Sequence, residues 1–179
     1  MKLKSEIMTE ADVVRTLARL THEIIERSGD IHNVVLLGIR RRGLPLAHLI
    51  AANLKRFGGE DVPVGHLDIT LYRDDLTRLS DMPDAGETYF PCEVDGKCVI
   101  LVDDVIFTGR TARAAIEAVF SRGRPSMIQL LVLVDRGHRE LPIRPDFVGK
   151  NIPTARSELV AVTVPETDGE PLAVKLYER

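Results

Sequence analysis

The residues Val99, Ile100, Leu101, Val102, Asp103, Asp104, Val105, Ile106, Phe107, Thr108, Gly109, Arg110 and Thr111 join an apolar run, two adjacent carboxylates and a glycine-centred polar turn. Val99 to Val102 suits a strand covered on both faces, as in a parallel sheet. Thr108 to Thr111 suit the opening of a helix, where backbone N–H groups and the positive end of the helix dipole favour a phosphate. Gly109 would let the backbone approach that ligand closely. Asp103 and Asp104 would repel a phosphate at the same turn unless they serve another part of the same ligand. Vicinal ribose hydroxyls supply that part, because carboxylates accept hydrogen bonds from them, and a Mg2+ held by a pyrophosphate would offset the charge. The chemistry implied is that of an activated ribose phosphate. The alternative is an ordinary strand-to-helix turn with acidic caps.

A donor of ribose phosphate that carries a pyrophosphate needs a second anion cradle. Arg40, Arg41, Arg42 and Gly43 directly follow another apolar run, Asn33 to Ile39, and consecutive arginines at a strand end offer charge and backbone donors to a leaving group that gains charge. Read blandly, they form a solvated basic loop. Val134, Asp135, Arg136 and Gly137 end a further predicted strand, Met127 to Val134, and so border the same edge of a sheet; Asp135 and Arg136 could instead pair with each other. After Val64 to Leu71, the loop opening at Tyr72 carries Arg73 and Arg78, which could reach a departing anion or pair with Asp74 and Asp75 on the surface.

The elements that would position these groups alternate between helix and strand. Thr9 and Asp12 resemble a capping pair before Val13, Leu17, Leu20 and Ile24 at helical spacing, with an end near Ser28 and Gly29. A second helix, with Pro45 near its first turn, runs through about Phe57, and a third covers Thr111 to Phe120 with Gly123 as its cap. Tyr72 to Val94 shows no sustained period and reads as a mobile loop. Leu159 to Val164 and Ala173 to Tyr177 suggest two more strands around the turn-rich Pro165 to Pro171. The alternation predicts an α/β fold whose mainly parallel sheet is flanked by helices, with ligands outside the carboxyl ends of the strands.

The 179 residues fit one domain, residues 1–179, able to bury about 70% of the unfolded surface. A formal net charge of −3 excludes a wholesale polyanion binder and leaves only local basic patches. Aromatics at 4% provide few stacking platforms for unstructured single strands, so any RNA would be read through shape and a few bases. Arg15, Arg19 and His22 fall on the polar face of the first helix with Arg27 at its edge, interleaved with Glu23 and Glu26. His138, Arg139, Arg144 and Lys150 make a second locally basic segment. Cys92 and Cys98 lack a nearby histidine for a metal cage and read as ordinary thiols. The absence of a signal peptide or bilayer-length apolar run predicts a cytoplasmic protein with no membrane partner.

The thirteen-residue stretch resembles the phosphoribosyl pyrophosphate motif of the type I phosphoribosyltransferases. Asp68 to Leu76, Val134 to Arg144 and Gly149 to Thr154 narrow the resemblance, over nearly the whole chain, to the branch of pyrimidine-operon attenuation regulators that are also uracil phosphoribosyltransferases. That resemblance implies a single-domain fold with a flexible lid and a small hood, and conversion of uracil and phosphoribosyl pyrophosphate to UMP and pyrophosphate with Mg2+. It implies a pyrophosphate loop at Arg40 to Gly43, a lid that contributes Arg73, uracil recognition near Val134 to Gly137, and catalytic roles for Asp103 and Asp104. It also implies UMP-dependent binding of operon leader RNA through Arg19, His22, Arg27, Arg139, Arg144 and Lys150, to which the basic segment adds His138, in a homodimer or higher homo-oligomer. Ala18 departs from the threonine expected there, a loss worth about 0.5–1.5 kcal/mol for one hydrogen bond. The alternative within the superfamily is a transferase without RNA binding, acting on a purine base.

Overall fold

The computed structural model describes residues 1–69 and 87–178. The capping pair forms as read. The Thr9 N–H donates to Asp12 and the Asp12 N–H to the Thr9 hydroxyl, which opens α1 (Glu10–Ser28) after a short strand β1 (Lys2–Met8). Val13, Leu17, Leu20 and Ile24 are fully buried or nearly so, as a single apolar helix stripe requires.

β2 (Val34–Ile39) is buried at every residue, because helices cover both of its faces. It leads to α2 (Gly43–Gly58), then to β3 (Val64–Leu67), β4 (Cys98–Ile106), α3 (Arg110–Arg122), β5 (Met127–Asp135) and β6 (Phe147–Asn151). These strands form one parallel sheet in the order β3-β2-β4-β5-β6. Side-chain alternation divides the core in two. Val34, Leu36, Ile100, Val102, Leu131 and Leu133 face α1 and α2, whereas Val35, Leu37, Val99, Leu101, Leu130 and Val132 face α3 with its alanines Ala112, Ala115 and Ala118.

The remaining strands, β7 (Glu158–Thr163) and β8 (Ala173–Glu178), flank a one-turn helix α4 (Pro165–Asp168) and pair antiparallel. β8 also pairs with β1, so the second sheet has the order β1-β8-β7 and forms a small hood. The expected strand Val64 to Leu71 ends at Leu67; Thr70, Leu71 and the loop to Gly86, with Arg73 and Arg78, lie outside the described residues.

Three further differences have physical reasons. β4 continues past Val102 to Ile106, because Asp103 and Val105 pair with Val132 and Val134 of β5. The two carboxylates therefore belong to the strand rather than to the turn after it. β6 escapes the apolar pattern because it is an edge strand with only Phe147 fully buried. β1 escapes it because most of that strand is exposed beside β8.

Candidate active site

The strand order creates the site. From β2 the chain moves outward to β3, then returns past β2 to β4 and continues toward β6, so the connections leaving β2 and β4 diverge at adjacent strand ends. Such a switch point opens a crevice beyond the carboxyl ends of the strands. Arg40 to Gly43 follow β2 there, and Phe107 to Gly109 follow β4.

The glycine-centred turn forms where the sequence places it, directly before α3. Gly109 caps α3 in the left-handed region (φ 92°), and the Arg110 N–H points to the Thr108 hydroxyl at 3.4 Å. A cavity of about 390 Å³ opens over this turn, lined by Asp103, Thr108, Gly109, Arg110, Thr111 and Glu140 among others. The Thr108 carbonyl accepts the Glu140 and Leu141 N–H groups at 2.9 and 3.2 Å, and the Arg110 Nε donates to Glu140 at 3.0 Å. Glu140 and its segment escaped sequence reasoning, because they reach the turn only when the β5–β6 connection folds back over it.

Asp103 is buried and Asp104 half-buried, and each carboxylate accepts the next backbone N–H, from Asp104 and Val105 respectively, at 2.9 Å. Burial, then the adjoining Asp104 charge, pushes the Asp103 carboxyl well above the usual range. Burial also raises Asp104, against the lowering effects of its hydrogen bonds and of the Arg42 charge.

The arginines of the other turn have separate fates. Arg40 and Arg41 are exposed, and the Arg40–Arg41 peptide is cis. Arg42 turns to the hood, where its Nε and Nη2 lie 3.1 and 2.8 Å from the two carboxylate oxygens of Asp168. Gly43 packs so closely on β4 that a Cβ would fall 2.2 Å from the Val102 carbonyl oxygen.

At the end of β5, Val134 is buried and Asp135 pairs with Arg139, not with Arg136. Arg136 is buried above the Phe107 ring, 4.1 Å from its centroid, and donates to Thr154, to the Ala155 carbonyl and to the Glu158 carbonyl. His138 reaches the Thr154 carbonyl at 2.6 Å and meets the Phe107 ring edge-on. These contacts tie Gly137 and its neighbours to the segment that enters the hood, and Asp135, Arg136 and Gly137 line a pocket there with Asn151, Ile152 and Pro153.

Several of the expected RNA-facing residues also make contacts within the chain. Arg19 donates to the Gly149 and Val148 carbonyls at 2.6 and 3.2 Å, and Arg27 donates to the Asp146 carbonyl while lying over Phe147. Both fasten α1 to β6. Arg139 is likewise engaged with the Phe107 and Ile143 carbonyls. Arg19 and Arg27 are nonetheless exposed, as are His22, stacked on Phe57, Arg144 and Lys150, and Ala18 is half-buried.

A switch-point crevice with a carboxylate pair between two anion-type turns defines a phosphoribosyltransferase framework, and residues 5–167 match the phosphoribosyl transferase domain family. Hypoxanthine phosphoribosyltransferases share the fold: one from Trypanosoma cruzi has a TM-score of 0.72 at 20% identity, covering 99% of this chain and 92% of that one. One from Staphylococcus aureus has a TM-score of 0.71 at 18% identity, covering 97% and 92%. At full length the chain is 55% identical to the bifunctional protein PyrR of Thermus thermophilus, covering 98% of that protein, and 56% identical to its namesake from Clostridium novyi, covering all of it. The chain thus belongs to the phosphoribosyl transferase family and, within it, to the PyrR branch.

Proposed function

We propose that the chain transfers the 5-phosphoribosyl group of phosphoribosyl pyrophosphate to uracil, and that it also binds pyrimidine-operon leader RNA as a regulator of transcription attenuation. The observation that carries the first activity is the Asp103–Asp104 pair at the end of β4, immediately before the Gly109 turn and beside the turn that follows β2. The amides at the start of α3, with Thr108 and Thr111, hold the 5′-phosphate. The carboxylates accept the ribose hydroxyls and face the positive charge that develops at C1 as its bond to pyrophosphate lengthens. Uracil N1 forms the new bond to C1 on the opposite side as the bond to pyrophosphate breaks, its proton passes to the departing pyrophosphate, and UMP remains. The end of β5, Val134 to Gly137, borders the base.

Phosphoribosyltransferases generally use Mg2+ with their pyrophosphate donor. The donor set here fits that ion. It consists of the hard carboxylate oxygens of Asp103 and Asp104, beside which a Mg2+ held mainly by the pyrophosphate of the donor would sit. When bound, Mg2+ offsets the charge of the leaving pyrophosphate. Asn in place of either aspartate should reduce UMP formation by about 100-fold, the scale of losing one group that stabilises transition-state charge. Undiminished turnover would sink these roles.

The RNA reading draws on the bifunctional name of the relatives and on exposed His22, Arg144 and Lys150. Arg19 and Arg27, exposed beside them, and Arg139 belong to the same proposed surface, and the contact loss at Ala18 leaves it intact. The protein acts in the cytoplasm as a homo-oligomer of single-domain chains, in keeping with the lack of any helix among the described residues long and apolar enough to cross a membrane. Filter binding to leader RNA with and without UMP tests this: UMP should tighten specific binding, and no gain would leave a transferase only.

A further inference from the structure

The arginines following β2 are alike in sequence, but the structure gives them different work. Arg40 and Arg41 are exposed; Arg40 makes one long contact, 3.5 Å to the Glu87 carbonyl, and Arg41 has no hydrogen bond or ion pair among the described residues. Arg42 is the residue preceding α2, with a helical backbone (φ −81°, ψ −22°), and its side chain leaves the loop for the hood. Its planar fork meets the Asp168 carboxylate through two parallel bonds of 3.1 and 2.8 Å, a geometry that fixes orientation as well as distance. Asp168 is itself fixed. The same oxygen that accepts the Arg42 Nε also accepts the Val164 N–H at 2.8 Å, at the point where β7 passes into α4.

The Asp168 side chain is 18% exposed and that of Arg42 41%, so the contact is shielded mainly on the hood side. It spans 126 residues of sequence and joins the turn after β2 to the connection between β7 and β8. On the other side of Arg42, Gly43 lies against the Val102 carbonyl, directly before Asp103. A guanidinium committed to a carboxylate in both of its parallel bonds is poorly placed to ligate an incoming anion with the same donors. It is well placed to hold the loop in the shape in which its neighbours do so.

We infer that Arg42 is a positioning residue: through its paired bonds to Asp168 it braces the pyrophosphate loop against the hood, and the anion is taken by Arg40, Arg41 and the loop amides. The inference rests on the proposed transferase reading for the identity of the anion. It separates roles that the sequence leaves equivalent, and it makes Asp168, remote in sequence from every anion-binding motif, a determinant of pyrophosphate affinity.

The test is calorimetric binding of inorganic pyrophosphate, with Mg2+, to the full chain and to R42A, D168A, D168N and the double variant R42A/D168A. Bracing predicts that R42A and D168A weaken binding alike, by about tenfold as for a displaced positioning group, and that the double variant lies within about twofold of the weaker single one. D168N, which keeps the shape but loses the charge, should fall between wild type and D168A. Steady-state assays should show the same ranking in the KM for phosphoribosyl pyrophosphate, at temperatures where all variants remain folded. If Arg42 were a direct ligand, D168A would free it and tighten pyrophosphate binding while R42A weakened it, which would overturn the inference. Changes in thermal stability alone, with pyrophosphate affinity unmoved, would overturn it too. A wild-type chain that binds pyrophosphate but forms no UMP would remove the functional reading, and the variant series would still decide the role of Arg42.

Discussion

The turns after β2 and β4 face the same crevice but are held by different means. The turn after β4 is strapped from outside: the Thr108 carbonyl accepts two N–H groups from the β5–β6 connection, the Phe107 carbonyl accepts Arg139 at 3.0 Å, and Arg110 pairs with Glu140. The turn after β2 is pinned by the Arg40 N–H on the Leu67 carbonyl, by Arg42 on Asp168 of the hood and by Gly43 on β4, while the Arg40 and Arg41 side chains stay exposed. The proposed reaction gives this contrast a reason. The 5′-phosphate is common to donor and product, so a rigid cradle holds it through the whole reaction without reorganising. Pyrophosphate must leave, so its cradle gains from side chains that can let go.

The strongest way to break the comparison is to disturb a pinned end. Gly43→Ala places a Cβ against the Val102 carbonyl oxygen, a backbone atom that cannot turn aside. The expected cost is about 1–3 kcal/mol of overpacking, or roughly 2–12 °C in Tm at about 2–4 °C per kcal/mol for a chain of this size. Because β4 moves together with Asp103, kcat/KM should drop by about 100-fold even at temperatures where the variant is folded. Gly109→Ala is the counterpart. There the strain is conformational, about 1–2 kcal/mol for the left-handed backbone, and its nearest neighbours lie 3.5 Å or farther away. Losses in Gly109→Ala greater than in Gly43→Ala would reverse the picture of which turn is set by close packing.

A milder comparison separates the two anions by charge. Arg41→Ala should weaken pyrophosphate binding by about tenfold, the scale of one charge-assisted hydrogen bond, and leave UMP affinity unchanged. Glu140→Gln should do the opposite. It removes a carboxylate from the wall of the phosphate cavity and an ion pair that is more than a third exposed on each side, worth at most about 1 kcal/mol. UMP binding should then tighten by about two- to fivefold, with the gain shrinking as salt is added. Equal effects of both variants on both ligands, read by calorimetry, would show that the turns act as one site.

Much of this arrangement was legible in the chain. The capping box at Thr9, the wholly apolar β2 and the order of strand and helix were readable because local chemistry decides them. So was the glycine turn before α3, since only a glycine takes up φ 92° before a helix without strain. Edge strands β1 and β6 were not readable, because half-exposed strands lack the apolar signal. Nor were the partners of the arginines. Arg42 with Asp168, Arg110 with Glu140 and Arg19 with Gly149 are made across long stretches of chain, and any of these arginines could equally have been solvated. The sequence shows which groups carry charge; the folded chain shows which charges are already spent.

The smallest expected effect lies between the two turns, in the acid pair itself. Asp103 is raised above its ordinary value of 3.8 by burial first and by the Asp104 charge second. A carboxyl raised in this way binds more protons folded than unfolded, so stability falls as pH rises from about the ordinary value toward the raised one, and above that window the whole penalty is present. Asp103→Asn keeps an oxygen able to accept the Asp104 N–H and removes the titrating charge. In the ligand-free protein its Tm should therefore exceed that of wild type at pH 7, by about 2–4 °C for each kcal/mol relieved, and the gap should close as the pH approaches 4. The same substitution is expected to cost activity, so the carboxylate would be kept for its ligand at the expense of the fold. A Tm difference independent of pH would place the penalty in packing rather than charge, and the crevice would then be shaped by its turns alone.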